Sequence, residues 1–170
     1  MTSTQEIIDV LVAVDAETII NKFGKNTDPN NPVQITDPNL IFMITKSADA
    51  ISGNAGNELK IAAKTLDVIR WRETSLSLNA VYSALLYKFV ATSGGNLISP
   101  PFPLLAKDQT PLPDPSNPTV PKTQTIETYF WNCTVLEPGE VTYHFSFMIV
   151  DRSGDIQGYY WWDPFIEITD

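Results

Sequence analysis

Apolar and polar residues alternate with a period of two along much of the chain. Near the N-terminus, Ile8, Val10, Val12 and Val14 alternate with a second set of side chains that includes Asp9. Such a period places successive side chains on opposite faces of a strand, and β-branched residues favour strands. The pattern therefore predicts a strand over residues 7–14.

A short helix is predicted directly after this strand. Asp15 is a residue type that caps helix N-termini, and Glu17 adds a favourable acidic charge in the first turn. Gly24 is a residue type that ends helices. The apolar stripe between them consists of Ile19, Ile20 and Phe23. We therefore predict one helix from Asp15 to Phe23.

Short apolar or alternating segments separated by turn residues predict most of the remaining elements. The predicted strands cover residues 40–45, 58–63, 68–73, 81–90, 125–135, 141–151, 157–162 and 165–169. In the fourth of these, Ala84-Leu85-Leu86 would also suit a helix, but the flanking Val and Tyr residues favour a strand. About eight or nine strands with one helix predict an all-β fold. We expect a single two-sheet β-sandwich domain over residues 1–170, with immunoglobulin-like or cupredoxin-like Greek-key connections.

Proline is concentrated in one segment, because eight of the 13 prolines lie between Pro100 and Pro121. Proline cannot donate a ladder hydrogen bond and fixes its own φ, which disfavours strands. Phe102, Leu104 and Leu105 make the segment too apolar for a free linker. We therefore predict that residues 100–122 form a Pro-rich loop packed across the domain.

Composition narrows the classes of partner and compartment. The net charge of −9 disfavours nucleic acid and anionic membrane surfaces as partners. Cys133 is the only cysteine, so an intrachain disulfide is impossible. Residues 1–6 carry no basic side chain, and no stretch approaches the length of a membrane span. We expect a cytoplasmic protein without a signal peptide.

Few residues could carry catalysis or bind a metal. His144 is the only histidine, and it would have to act with Cys133 in any nucleophilic arrangement. One His and one Cys cannot supply a zinc or blue-copper site. The turns at Asp28-Pro29, Asp37-Pro38 and Asp114-Pro115 could supply calcium ligands but lack EF-hand spacing, so plain turn structure is favoured. We expect no cofactor, no metal and no catalysis.

Two other segments are candidates for binding. Arg70 and Arg72 share one face of a predicted strand, where they would pair with a carboxylate of a ligand or, more simply, of the chain itself. The segment Tyr159-Tyr-Trp-Trp162 places large aromatic side chains on both faces of another strand. One pair needs a cover, which a loop, a second subunit or a ligand such as a carbohydrate could supply. The candidate ligand-binding residues are Tyr160, Trp162, Asp163, Arg70 and Arg72.

Several blocks together resemble the AidA/PixA family of bacterial inclusion-body proteins. They are Asn26-Thr-Asp-Pro-Asn-Asn-Pro32, Ile69-Arg-Trp-Arg-Glu-Thr-Ser-Leu-Ser77, Tyr129-Phe-Trp131, Val141-Thr-Tyr-His-Phe145 and Gly158-Tyr-Tyr-Trp-Trp-Asp-Pro-Phe165. The resemblance implies a cytoplasmic protein that accumulates, sometimes in crystalline inclusions, under population-density or growth-phase control and in association with a host. It implies no enzymatic activity. One branch of the family is methionine-rich, and this chain departs from it with three methionines.

Three functional hypotheses follow, in order of preference. The first is a non-catalytic, self-associating protein that forms homo-oligomers. The second is a small-ligand or carbohydrate-binding module that uses the Tyr159–Trp162 region. The third is an enzyme built on Cys133 and His144.

Overall fold

The computed structural model describes residues 5–169, and it contains twelve strands, one α-helix and one short 3-10 helix in that range. In chain order the elements are β1 (Ile7–Val14), α1 (Ala16–Phe23), β2 (Val33–Gln34), β3 (Ile41–Ile44), β4 (Ala50–Ser52), β5 (Lys60–Lys64), β6 (Val68–Ser75), β7 (Tyr82–Ser93), the 3-10 helix (Gly95–Leu97), β8 (Phe102–Asp114), β9 (Asn117–Thr134), β10 (Gly139–Asp151), β11 (Ile156–Trp162) and β12 (Phe165–Thr169). Residues 1–4, which enter the expectation of no signal peptide, lie outside the described range.

The strands form two sheets, which confirms the predicted β-sandwich. Sheet A has five strands in the order β3-β1-β6-β9-β8. Sheet B has seven strands, of which six follow the order β2-β11-β10-β12-β5-β4. The seventh strand, β7, pairs with β10 along the edge opposite to β11. Three neighbouring pairs are parallel, namely β1 with β6, β2 with β11 and β5 with β12. The Greek-key type of connection stays a prediction.

The core lies between the inner faces of the two sheets and follows the predicted alternation. Sheet A contributes Ile8, Val10, Val12, Ile69, Trp71, Trp131 and Cys133, and the long strand β10 of sheet B contributes Val141, Tyr143, Phe145, Phe147 and Ile149. The indole Nε1 of Trp71 donates to the Tyr143 hydroxyl at 3.0 Å, which satisfies two polar groups that the sandwich buries.

The predicted helix is confirmed together with both of its ends. The Asp15 side chain accepts a hydrogen bond from the Thr18 backbone N–H at 3.2 Å, as an N-cap does. Gly24 has a φ of +74°, which favours glycine, and its N–H closes the last turn on the Ile20 carbonyl. The helix buries Ala16 and Ile19 against the core. No helix within residues 5–169 is long and apolar enough to cross a membrane.

The prediction of a Pro-rich loop over residues 100–122 is wrong, because this segment belongs to the hairpin of β8 and β9. Only Trp131–Thr134 of β9 pair with β6, so the rest of the hairpin has no sheet neighbour beyond itself. We call residues 104–130 the arm. Its side chains are exposed or half-exposed throughout.

The arm tolerates proline because of where each proline lies in the ladder. Pro113 is directly opposite Pro121, and neither residue can donate, so this must be a non-hydrogen-bonded pair. Non-hydrogen-bonded pairs recur every second residue, and the register is regular from Phe102 to Pro113. Pro103 and Pro111 therefore occupy the same type of position, and the donor that each lacks would point to the open edge of the strand.

Candidate functional site

The predicted arginine pair lies on the outer face of sheet A. Arg70 Nε and Nη2 donate to the two carboxylate oxygens of Asp9 at 2.7 and 2.8 Å, and this bidentate pair raises the pKa of Arg70. Arg72 lies 3.7 Å from the Asp108 carboxylate. Both guanidinium groups lie over the Phe130 ring, at 5.2 and 5.7 Å from its centroid. Carboxylates of the chain itself therefore hold both arginines, and their ligand-binding role stays a prediction.

Tyr160 and Trp162 are buried in the core, with 0% and 2% of their surface exposed, so their prediction as ligand-binding residues is wrong. The register of β11 on β10 decides this orientation. Tyr160 lies opposite Phe147 and Trp162 lies opposite Phe145, and both phenylalanines point inward. The Tyr160 hydroxyl donates to the Gly24 carbonyl at 2.7 Å.

The other two aromatic residues of that strand, Tyr159 and Trp161, lie half-exposed on the outer face of sheet B. Tyr159 packs edge-on against Tyr87 at 5.4 Å between centroids, and the Tyr87 hydroxyl donates to the Pro29 carbonyl. The chain thus brings its own Asn- and Pro-rich loop, residues 25–32, next to this pair.

His144 and Cys133 lie on different sheets, and only Cys133 points into the core of the sandwich. Cys133 points from sheet A into the core, where burial raises the pKa of its thiol to about 12. His144 lies half-exposed on the outer face of sheet B, with its ring 4.9 Å from that of Trp161, and burial lowers its pKa. The exposed Asp163 is nearby and partly opposes this shift. A Cys–His catalytic pair is therefore not assembled.

The carboxylate of each Asp-Pro turn is held by hydrogen-bond donors of the chain itself. Asp28 accepts from Asn31 and the Asn30 N–H, and these hydrogen bonds lower its pKa. Asp37 and Asp114 accept chiefly from Lys22 and Lys122, with the same effect on their pKa values. Within residues 5–169, no group of three His, Cys, Asp or Glu side chains is placed to hold a metal ion.

Glu73 is not among the candidate site residues predicted from the sequence, although it stands on an inward-facing position of β6, two residues after the buried Trp71. Its Oε1 accepts a hydrogen bond from the Tyr129 hydroxyl, while Oε2 is buried without a hydrogen-bond partner in the described chain. Burial raises the pKa of Glu73 to about 7. Burial and the nearby carboxyl also raise the pKa of Tyr129. The sequence offered one signal for this residue, because the predicted alternation places the Glu73 carboxylate on the same strand face as Trp71.

The outer face of sheet A carries a continuous row of large side chains. Leu11 lies opposite Ile44 on one side and opposite Arg72 on the other, and Phe130 lies opposite Leu104. Arg72 and Phe130 join the two halves of the row through the ring contact described above. We call this surface the open face. Leu11, Ile44 and Leu104 are about two-fifths exposed, and no other element in the described chain covers them.

These features define a mixed-sheet β-sandwich with a projecting hairpin and an open, partly apolar sheet face. The family model for PixA, described as inclusion body protein, matches residues 6–168. The chain therefore belongs to the PixA family of inclusion body proteins, as the sequence blocks indicated.

Solved structures agree with this membership at the level of the fold. The crystal structure of the inclusion body protein PixA from Burkholderia cenocepacia J2315 superposes with a TM-score of 0.83 at 18% sequence identity, covering 99% of each chain. The solution structure of amebosin covers 82% of this chain and 99% of its own, but its TM-score of 0.27 at 6% identity supports no argument. None of the curated proteins compared with the chain matches it.

Proposed function

We propose that this chain is a non-catalytic, self-associating protein of the cytoplasm, and that its copies contact one another through the open face and the arm. The observation that carries the proposal is the row of large side chains across the five strands of sheet A, which is apolar on four strands and carries Arg72 on β6. Membership in a family of inclusion body proteins supports a second copy as the occupant of this surface. Expression controlled by population density or host association stays a prediction.

The chemistry of the open face suits contact between proteins. Leucine, isoleucine and phenylalanine side chains surround two arginines, and arginine and aromatic residues are enriched in the centres of interfaces. The Asp9–Arg70 pair already satisfies its own charges, so burying it would leave no unpaired ion. A second copy could therefore cover the row without burying an unpaired charge at its centre.

The test is a comparison of two charge substitutions at equally exposed apolar positions. Leu11 is 40% exposed at the centre of the open face, and Ile156 is 41% exposed on β11 of the other sheet. We expect wild-type protein to associate with rising concentration in sedimentation velocity. Leu11→Glu should weaken this association at least about tenfold, because an interface centre disfavours an unpaired carboxylate.

The matched control, Ile156→Glu, should associate like the wild type. Circular dichroism should show that both variants keep the β-sandwich. A wild-type chain that stays monomeric up to millimolar concentration would contradict self-association. Equal weakening by the two substitutions would instead remove the open face as the contact surface.

A further inference from the structure

A small pocket opens where the arm leaves the body of sheet A. The pairing of β6 with β9 ends at Trp71 and Trp131, but β6 continues to Ser75 while β9 is held only by β8. The gap between them faces β7 of sheet B. It encloses about 240 Å³ and is lined by residues of β6, β7, β9 and the turn before β7, namely Arg72, Glu73, Asn79, Ser83, Ala84, Leu85, Thr128 and Tyr129.

The floor of this pocket is a carboxyl group with half of its hydrogen-bonding capacity unused. The Tyr129 hydroxyl donates to Glu73 Oε1, and Oε2 is buried with no partner in the described part of the chain. Buried polar atoms in native proteins almost always have a partner, so a carboxylate oxygen without one beside a pocket can accept a hydrogen bond from a donor that enters the pocket.

Within residues 5–169, no cationic side chain forms an ion pair with Glu73. Arg72 directly precedes Glu73 and lies at the rim of the pocket, but its guanidinium group is held over the Phe130 ring and lies 3.7 Å from the Asp108 carboxylate. The chain is strongly acidic, and its net charge of −9 raises the local concentration of cations around it.

We propose that this pocket binds a small organic cation that carries a primary ammonium group. The ammonium supplies three donors, of which one goes to Glu73 Oε2 and the others reach hydroxyl or amide oxygens of the rim. The rim offers Ser83, Asn79 and Thr128 as such acceptors, and Leu85 with the Tyr129 ring offers an apolar wall for a short alkyl chain. Calcium would need six to eight oxygen ligands, and this pocket holds one carboxylate.

The volume limits the ligand to a few non-hydrogen atoms, because it falls below the range of about 300–1,000 Å³ typical of drug-sized ligands. A molecule of this size binds weakly, with a dissociation constant of about 1–10 mM. Binding has a second consequence. Without a bound cation, the Glu73 carboxyl is protonated at pH 6, because its pKa is about 7. A cation next to Glu73 favours the ionised form, so the carboxyl releases its proton when the ammonium binds.

The experiment uses n-butylamine as the probe and 1-butanol as its uncharged counterpart of the same shape. Binding is followed by ¹H–¹⁵N correlation spectra, and the amides of Glu73, Ser83 and Tyr129 should shift saturably with butylamine and hardly at all with butanol. Glu73→Gln keeps the shape of the side chain and should weaken butylamine binding at least about tenfold, because hydrogen bonds to charged groups are the stronger ones. Glu127→Gln is the matched control, since Glu127 is an exposed carboxylate on β9, the strand that carries Tyr129.

Proton release provides a readout that does not depend on a variant. Calorimetry of butylamine binding in two buffers of different ionisation enthalpy should show release of close to one proton at pH 6 and little release at pH 9. The proposal is overturned if about 100 mM butylamine causes no saturable shift at these amides. It is equally overturned if butanol competes as well as butylamine, or if binding at pH 6 releases no proton.

Discussion

Glu73 couples the stability of the fold to pH. Its pKa lies near 7 in the folded chain and near the ordinary value of 4.5 in the unfolded chain, because burial disfavours its charge. Between these two values the folded chain holds a proton that the unfolded chain has lost. The contribution of Glu73 to the free energy of unfolding is therefore fully present below pH 4.5, falls as the pH rises and is lost above pH 7.

We predict that Glu73→Gln removes this dependence. The unfolding free energy of the variant minus that of the wild type should rise between pH 4.5 and pH 7, by about 3 kcal/mol at most. Urea denaturation at half-unit pH intervals measures it. For Glu127→Gln, whose carboxylate is 72% exposed, the difference should stay flat over the same range. A flat difference for Glu73→Gln would contradict the raised pKa.

At the level of single residues, the sequence predicted chemistry better than orientation. Alternation correctly placed Arg70 and Arg72 together, and the simpler of the two hypotheses, a carboxylate of the chain itself, accounts for both. The aromatic strand shows the limit. Alternation divides Tyr159–Trp162 into two faces, but only the register on β10 determines that Tyr160 and Trp162 point inward. Register depends on a partner strand and is not a local property of the segment.

At the level of elements, the predictions succeeded where side chains pack against a core. The helix and nine of the strands were predicted from periodicity, because each has a buried face. The strands missed were β2, β4 and β8. The first two are only two and three residues long, and β8 has almost no buried side chain. Without a buried face no hydrophobic period exists, and proline then dominated the interpretation of β8.

The positions of the prolines on β8 bear on how its open edge can pair. Open strand edges are templates for pairing with other chains, and proline removes the donors that such pairing requires. Pro103, Pro111 and Pro113 lie where the missing donor would face the open edge of β8. We therefore expect these prolines to disfavour the addition of strands from other chains to the open edge of β8.

We predict that Pro111→Val combined with Pro113→Val increases sheet-type aggregation, because it restores two donors on an exposed edge. Thioflavin fluorescence during incubation at moderate temperature measures the effect, and we expect a clearly shorter lag than for the wild type. Thr110→Val is the control, since Thr110 lies opposite Gln124 at a position whose donor already bonds β9. An unchanged lag in the double variant would show that proline does not protect this edge.

At the level of the whole molecule, area decides which surfaces the proposed self-association would require. Five strands spaced by about 4.8 Å, with two or three outward residues on each, give the open face an area of about 400 Å². A stable interface buries about 800 Å² on each partner. The open face alone is therefore too small, and the arm, which extends about 30 Å beyond the pairing with β6, is the adjoining surface able to supply the rest.

We therefore predict that removing the arm abolishes tight self-association while leaving the sandwich intact. Ala106 and Thr128 lie opposite each other in a hydrogen-bonded pair, which a two-residue Asn-Gly turn can close after deletion of residues 107–127. None of the deleted residues belongs to the hydrophobic core, so thermal unfolding should remain cooperative and near the wild-type midpoint. Sedimentation velocity should show association at least about tenfold weaker, because the remaining face falls below the area of a stable interface. Unchanged association of the shortened chain would assign the contact to another surface.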